Sequence, residues 1–340
     1  MRLFNRAALL AAAVASVSSA ACADDGFKLS EKLSVSGFID MSYVYVDTDN
    51  APKNKQAGVD QAEIDFKYDF NKKMTAQVDL EAQRDATRTA DGDYTTNIEQ
   101  AFFNYKITDE FSVKGGRFLS YSGWETEEPT GLFQQSGAGY GPLFYGYYQD
   151  GLSAMYSNGL IDVGLSVVDD AFGGGNNPAL GSGNMNDMGY EVMLGVHPTK
   201  DWTVKAFYLS QDYPAYKETK YNIWTSYVIN GFTLAAEYSN GEDLGVTPIV
   251  PALSGPGYDG SGYLFMVNYA WTKVGLTFRY HGFEADKAGI DVIDRTAFTL
   301  SPSYKVNSNL LLVAEARFDE NKIPLAPDSK TYALEALVTF

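Results

Sequence analysis

The sequence predicts an all-β protein: a transmembrane, antiparallel, up-and-down β-barrel of about sixteen strands. Three observations predict it. Segments of about ten residues alternate apolar and polar side chains, a period that sends neighbouring residues to opposite faces of a strand. The connections between those segments alternate between short and long along the whole chain. No run approaches the roughly eighteen apolar residues of a membrane helix, yet there are 24 Tyr and 20 Phe, an abundance that suits a lipid-facing surface built from every second residue.

The chain opens with an export signal, residues 1–23. Arg2 and Arg6 supply its positive start, 7–17 its apolar core and Ala21-Cys22-Ala23 its cleavage site. The mature barrel is then 24–340. A lipoprotein-type cleavage before Cys22 is disfavoured by Ser19, which stands where leucine is preferred. Cleavage after residue 23 removes the only cysteine, so stability must come from something other than disulfides. The net charge of −17 becomes more negative when both arginines leave. Such acidity excludes nucleic acid as a partner, because phosphate binding needs clustered Lys and Arg.

The first strand, 33–47, carries Leu33, Val35, Ile39, Met41, Tyr43 and Tyr45 on one face and Ser34, Ser36, Asp40 and Ser42 on the other. The second, 61–70, sets Ala62, Ile64, Phe66, Tyr68 and Phe70 against Glu63, Asp65, Lys67 and Asp69. The third sets Met74, Ala76, Val78, Leu80 and Ala82 against Thr75, Gln77, Asp79, Glu81 and Gln83. This unit repeats. Short turns fall at 71–73, 108–110, 157–159, 198–201, 230–231, 272–273 and 307–309. Long connections fall at 47–56, 84–94, 120–148, 169–187, 211–219, 240–260, 284–292 and 320–328. The last strand, 331–340, alternates Tyr332, Leu334, Ala336, Val338 and Phe340 and must close against the first, since an open apolar edge aggregates. All short turns then lie at one end with both termini. Short periplasmic turns and long external loops describe an outer-membrane barrel; a soluble sandwich has no reason to sort its connections this way. No Asp, Glu, Lys or Arg falls on the apolar face of strands two, three, twelve or sixteen, where a charge facing lipid would cost about 2–4 kcal/mol. Aromatics gather beside both sets of connections, as interfacial girdles do.

Sixteen strands enclose an aqueous lumen. The inward charges near mid-height are Asp79, Glu81, Glu191, Glu237, Glu315 and Glu335, against Arg279 and Arg317. Such an acidic lining concentrates cations and repels anions. The long connection 120–148 is rich in aromatics and glycine, and a loop of this length is functional or disordered. Arg117 shares parity with the apolar Val113, so a bulge at Gly115-Gly116 is expected to turn it inward.

Gly37-Phe38-Ile39-Asp40, Gln100-Ala101-Phe102-Phe103, Gly116-Arg117-Phe118 with Gly123 and Glu125 beyond, and the terminal Phe340 give a resemblance across essentially the whole mature chain. The sequence resembles Gram-negative outer-membrane porins, especially the OmpL-like β-barrel porins. That resemblance implies passive ion and solute transport in the cell outer membrane, with small hydrophilic solutes and membrane lipids as partners. It also implies a homotrimer, and recognition of the strand ending in Phe340 by the barrel-assembly machinery. In sixteen-stranded porins the loop after strand five folds into the barrel as the constriction. Carried over, Glu125, Glu127 and Glu128 form the eyelet, facing basic wall residues Arg279 and Arg317, with Arg117 nearby. The constriction-loop motif of the enterobacterial general porins is not matched closely.

No catalytic residue, cofactor or metal is expected. His197 and His281 lie at opposite strand ends and no motif links either to a Ser or Asp. Asp91-Gly92-Asp93 lacks the further ligands of a calcium loop and reads as a turn. Gly173-Gly174-Gly175 lacks a following Lys-Ser/Thr and helix, and reads as a loop tip. Two other functions fit a barrel: a sugar-specific channel with a stacking path of Trp124, Tyr140 and Tyr145, or a surface-binding, adhesive barrel whose loops matter more than its lumen.

Overall fold

The computed structural model describes residues 27–84, 94–172, 188–245, 256–324 and 326–340. The export segment 1–23, Asp91-Gly92-Asp93 and Gly173-Gly174-Gly175 lie outside these residues. Sixteen strands form the wall: β1 (Leu33–Thr48), β2 (Asn54–Asp69), β3 (Met74–Arg84), β4 (Tyr94–Lys106), β5 (Phe111–Leu119), β6 (Tyr148–Ser157), β7 (Ile161–Val168) and β8 (Gly189–Thr199), followed by β9 (Trp202–Asp212), β10 (Lys217–Ile229), β11 (Phe232–Leu244), β12 (Tyr258–Trp271), β13 (Val274–Lys287), β14 (Ile290–Lys305), β15 (Leu310–Asn321) and β16 (Ser329–Thr339). Each is antiparallel to both neighbours, and β16 pairs with β1 from Ser329 opposite Thr48 to Thr339 opposite Phe38. The ring therefore has no open edge.

The seam is finished by the chain ends. Gly37 and Phe340 exchange both backbone hydrogen bonds at 3.0 Å. Beyond Phe340 the edge of β1 is covered by a two-residue bridge, Phe27 opposite Val35 and Lys28 opposite Ser34. Gly37 is required here, because a Cβ would meet the Glu63 carbonyl at 2.2 Å and the Phe340 ring at 2.9 Å.

The faces are inverted relative to a soluble protein. Ile64, Phe66, Val78, Leu80, Phe265, Val267, Tyr332 and Leu334 are exposed, while Glu63, Asp79, Glu81, Glu237 and Glu335 are buried. Apolar residues outside and polar residues inside are what lipid demands of alternate positions. Aromatic pairs such as Phe232–Tyr269, with ring centroids 4.4 Å apart, and Tyr269–Trp271, at 5.2 Å, lie beside the short turns. Asn230 and Gly231 both take positive φ, 50° and 84°, the type I′ turn that matches strand twist.

The structure corrects several boundaries. The connection expected at 284–292 is only Ala288-Gly289, with φ of 55° and 78°, and the ladder runs on to Lys287 opposite Ile290. Only 213–216 separate β9 from β10, and only 49–53 separate β1 from β2. Backbone pairing needs no apolar face, so these hairpins continue above the lipid band. The bulge is also misplaced by one strand. Pairing is continuous through Gly115 and Gly116, although Gly116 takes a φ of 124°. The shift lies across β3–β4, where Asp79 faces Gln100 but Leu80 faces Ile98, leaving Glu99 as the extra residue.

The inner face is not wet all round. Residues 120–147 fold into the barrel, with a 3-10 turn at Pro129–Gly131 and a helical turn, α1 (Gly141–Phe144). Phe133, Tyr140, Leu143, Phe144 and Tyr145 pack against Ala235, Leu264, Met266, Phe283 and Ile293 on the inner faces of β11–β14. Those wall positions are apolar because they carry the loop, not water.

Candidate functional site

The loop is fastened by wall carboxylates that accept from its backbone and side chains. Glu191 Oε1 accepts from Ser120 Oγ and the Tyr121 amide, both at 2.9 Å. Glu237 accepts from the Trp124 amide at 2.5 Å, from the Tyr145 hydroxyl at 2.5 Å and from the Tyr140 hydroxyl at 3.2 Å. Burial and the Glu237 charge hold both tyrosines well above their ordinary titration range, so they remain donors. Glu315 accepts from the Ser136 hydroxyl at 2.5 Å and amide at 3.0 Å. Half of the six inward acids are therefore docking points for the loop. The other three, Asp79, Glu81 and Glu335, stand on β3 and β16.

Glu125 and Arg279 meet, Nη1 to Oε1 at 2.6 Å, with side chains 6% and 0% exposed. Arg279 also donates to the Ser136 carbonyl at 2.6 Å and to Thr299 Oγ1 at 3.2 Å. Glu125 accepts from Gln134 Nε2 at 2.8 Å and from the Ala138 amide at 2.5 Å. Arg279 Nε alone lacks a partner; a dry pair held by this many hydrogen bonds is a clamp between loop and wall. Arg317 serves the same side. It binds Asp319 through Nε at 2.9 Å and Nη2 at 2.6 Å, and donates from Nη1 to the Gly137 carbonyl at 2.8 Å.

Glu127 and Glu128 take another direction and do not face the arginines. Glu128 accepts from Gln61 Nε2 at 3.1 Å and from the Tyr148 hydroxyl at 3.0 Å. One of its oxygens lies within 4.8 Å of carboxylate oxygens of Glu63 and Glu99. Glu127 is exposed and accepts from the Tyr147 hydroxyl at 2.9 Å. Enclosure by the surrounding barrel, although Glu127 itself keeps accessible surface, and the negative charge of Glu99 raise both loop acids above the usual carboxylate range. The loop tip thus presents acid to an acidic wall formed by β2–β4.

The interior cations nearby are engaged elsewhere. Lys220 pairs with Glu218 at 3.3 Å and Lys205 lies 3.9 Å from Asp162. Lys114 sits over the rings of Phe102 and Phe118. Arg117 pairs with Asp150 at 3.0 Å, donates to the Glu99 carbonyl at 3.1 Å and lies over the Tyr148 ring. It stays on the β5–β6 wall and does not pair with the loop acids.

The aromatic path expected of a sugar channel is not open: Tyr140 and Tyr145 are buried, and Trp124 stacks on Phe133 and meets Trp224 edge-on. Strand pairing also brings together residues that no motif linked. His197 Nε2 lies 2.7 Å from Asp162 Oδ2, with Thr203 Oγ1 3.2 Å from Nδ1, but the Ser157 hydroxyl bonds Asp162 and not the ring. His281 is buried beside Tyr140 and Arg317.

Sequence reasoning missed Glu63 and Glu99 as site residues. Glu63 was visible on the polar face of its strand. Glu99 was hidden by the bulge that admits both Glu99 and Gln100 to the inner face.

The family model for Gram-negative porins matches residues 7–324. No curated protein matches the sequence. Among solved structures, the chain is similar to OmpF of Salmonella typhi in complex with daunomycin, at 16% identity over 91% of this chain and 97% of that one, TM-score 0.66. It is similar to an anion-selective porin from Comamonas acidovorans, at 11% identity over 91% and 99%, TM-score 0.65. It is also similar to the trimer form of OmpT, an outer-membrane protein of Vibrio cholerae, at 15% identity over 91% and 100%, TM-score 0.61. At these identities the likeness shows the fold.

Proposed function

The chain belongs to the Gram-negative porin family, and from that premise we propose a passive, cation-preferring diffusion channel for small hydrophilic solutes. The porin family and the closed barrel support an outer-membrane channel. The observation that supports cation preference is the acid-on-acid contact at the loop tip: Glu128 lies within 4.8 Å of Glu63 and Glu99, while Arg117, Arg279 and Arg317 are paired with Asp150, Glu125 and Asp319. A cluster of carboxylates beside an aqueous passage lowers the energy of a passing cation and raises that of an anion. One structural neighbour is titled anion-selective, so the shared barrel leaves the sign of the selectivity to the side chains.

The test is reversal potential across a salt gradient in planar bilayers. Replacing Glu127 and Glu128 together by Gln is expected to reduce the cation preference, whereas Glu125 is neutralised by Arg279 and contributes to selectivity only through loop position. Unchanged selectivity in the double variant would remove the loop tip from the filter. A barrel that passes no current at all would favour the surface-binding reading.

Two partner proposals accompany this one. A homotrimer is supported by the trimer form of the Vibrio cholerae neighbour and by an apolar outer groove of about 830 Å³ lined by Met41, Tyr43, Leu312 and Leu334. Recognition by the assembly machinery through the C-terminal strand is supported by the terminal aromatic, Phe340, set at the seam.

A further inference from the structure

We propose that Glu63, Glu99 and Glu128 form a calcium-binding site that ties the tip of the inserted loop to the barrel wall. The three come from β2, from the bulge in β4 and from the loop, and one oxygen of each lies within 4.8 Å of the others. Glu63 and Glu99 are each only 6% exposed, and Oε2 of each is buried without a hydrogen-bond partner. An orphaned carboxylate oxygen is costly, and two such residues clustered with a third carboxylate are costlier still. One divalent ion removes both penalties. Calcium binds oxygens at about 2.4 Å and so spans pairs up to about 4.8 Å apart, while magnesium would need them to draw in to about 4.2 Å. Its remaining coordination positions are filled by lumen water. Tyr148 and Gln61 donate to Glu128 and hold it in place, which is the outer-layer support a ligating carboxylate needs. The site crosses an otherwise acid-on-acid contact. Glu191, Glu237 and Glu315 each meet hydrogen-bond donors of the loop, whereas here wall carboxylates meet a loop carboxylate, a contact that an added cation would complete.

The site rests on the loop lying inside the barrel, and it shares Glu63, Glu99 and Glu128 with the acidic passage proposed above, so binding and selectivity need separate readouts. The test is therefore made in detergent, without current. Chelator-treated full-length barrel is titrated with terbium, following luminescence sensitised by the adjacent Tyr148, and the ion is then displaced with calcium; calorimetry with calcium alone gives the stoichiometry. One saturable site is expected. Glu63→Gln, Glu99→Gln and Glu128→Gln are each expected to weaken it about tenfold or more, while the exposed Glu320→Gln leaves it intact. Glu128→Gln leaves the wall unchanged and serves if a wall variant does not assemble. No saturable binding would overturn the site. So would binding that survives Glu99→Gln and Glu128→Gln but is lost in Asp65→Asn and Asp79→Asn, which would move the ion to the neighbouring group of Glu63, Asp65 and Asp79.

Discussion

Arg279→Met isolates the clamp between loop and wall. The guanidinium is 0% exposed and holds Glu125 at 2.6 Å together with the Ser136 carbonyl at 2.6 Å. Removing it strands Glu125 as a buried charge with only Gln134 and the Ala138 amide for partners. Breaking a buried pair from one side costs about 3–5 kcal/mol. The barrel ladders do not depend on this pair, so the cost falls on the docked state of the loop. At about 1.4 kcal/mol per factor of ten, the open population rises by roughly 10² to 4 × 10³. The assay is hydrogen exchange of the 120–147 peptide, whose Trp124, Ser136 and Ala138 amides are all bound by carboxylates. Protection of those amides should fall by that factor while the β1–β16 seam is unchanged. Adding Glu125→Leu removes the stranded charge and should restore most of the protection, a coupling of about 2 kcal/mol or more. If the single and double variants exchange alike, the pair is not a clamp and the reasoning fails.

Other consequences follow from the wall itself. Leu334→Arg places a charge at a position 61% exposed on the outer face; it should destabilise the inserted barrel by about 2–4 kcal/mol, measured by urea unfolding in lipid, if that face meets hydrocarbon. An unchanged midpoint would mean that it does not. Gly37→Ala puts a methyl against the Glu63 carbonyl and the Phe340 ring. It should weaken closure by about 1–3 kcal/mol, read as a lower temperature for loss of the compact band on unheated gels; equal heat resistance would show that the seam relaxes freely.

Much of the fold was legible because its solvent imposes a local rule. Lipid outside and polar groups inside force a period of two, and that period is visible in any ten residues: Phe66 and Val78 outside, Glu63 and Asp79 inside. The site was legible only in part. Glu125 and Arg279 were both named, yet their burial, which turns an eyelet pair into a clamp, was not. The expectation that Glu127 and Glu128 face arginines failed because Arg279 and Arg317 are engaged by Glu125, Asp319 and the loop backbone.

The sequence by itself determined strand number, the end that carries the short turns, closure of the last strand on the first, and the side of the wall on which each regular strand residue lies. These follow from nearest-neighbour alternation and from the need to leave no backbone edge unpaired. Only the tertiary structure decided what the loop touches. Its contacts join residues as far apart as Ser136 and Glu315, or Glu125 and Arg279, and no local period encodes a meeting across the lumen. Nor did any pattern announce Glu99, since an extra residue in one strand changes the facing of a side chain only once its partner strand is in place.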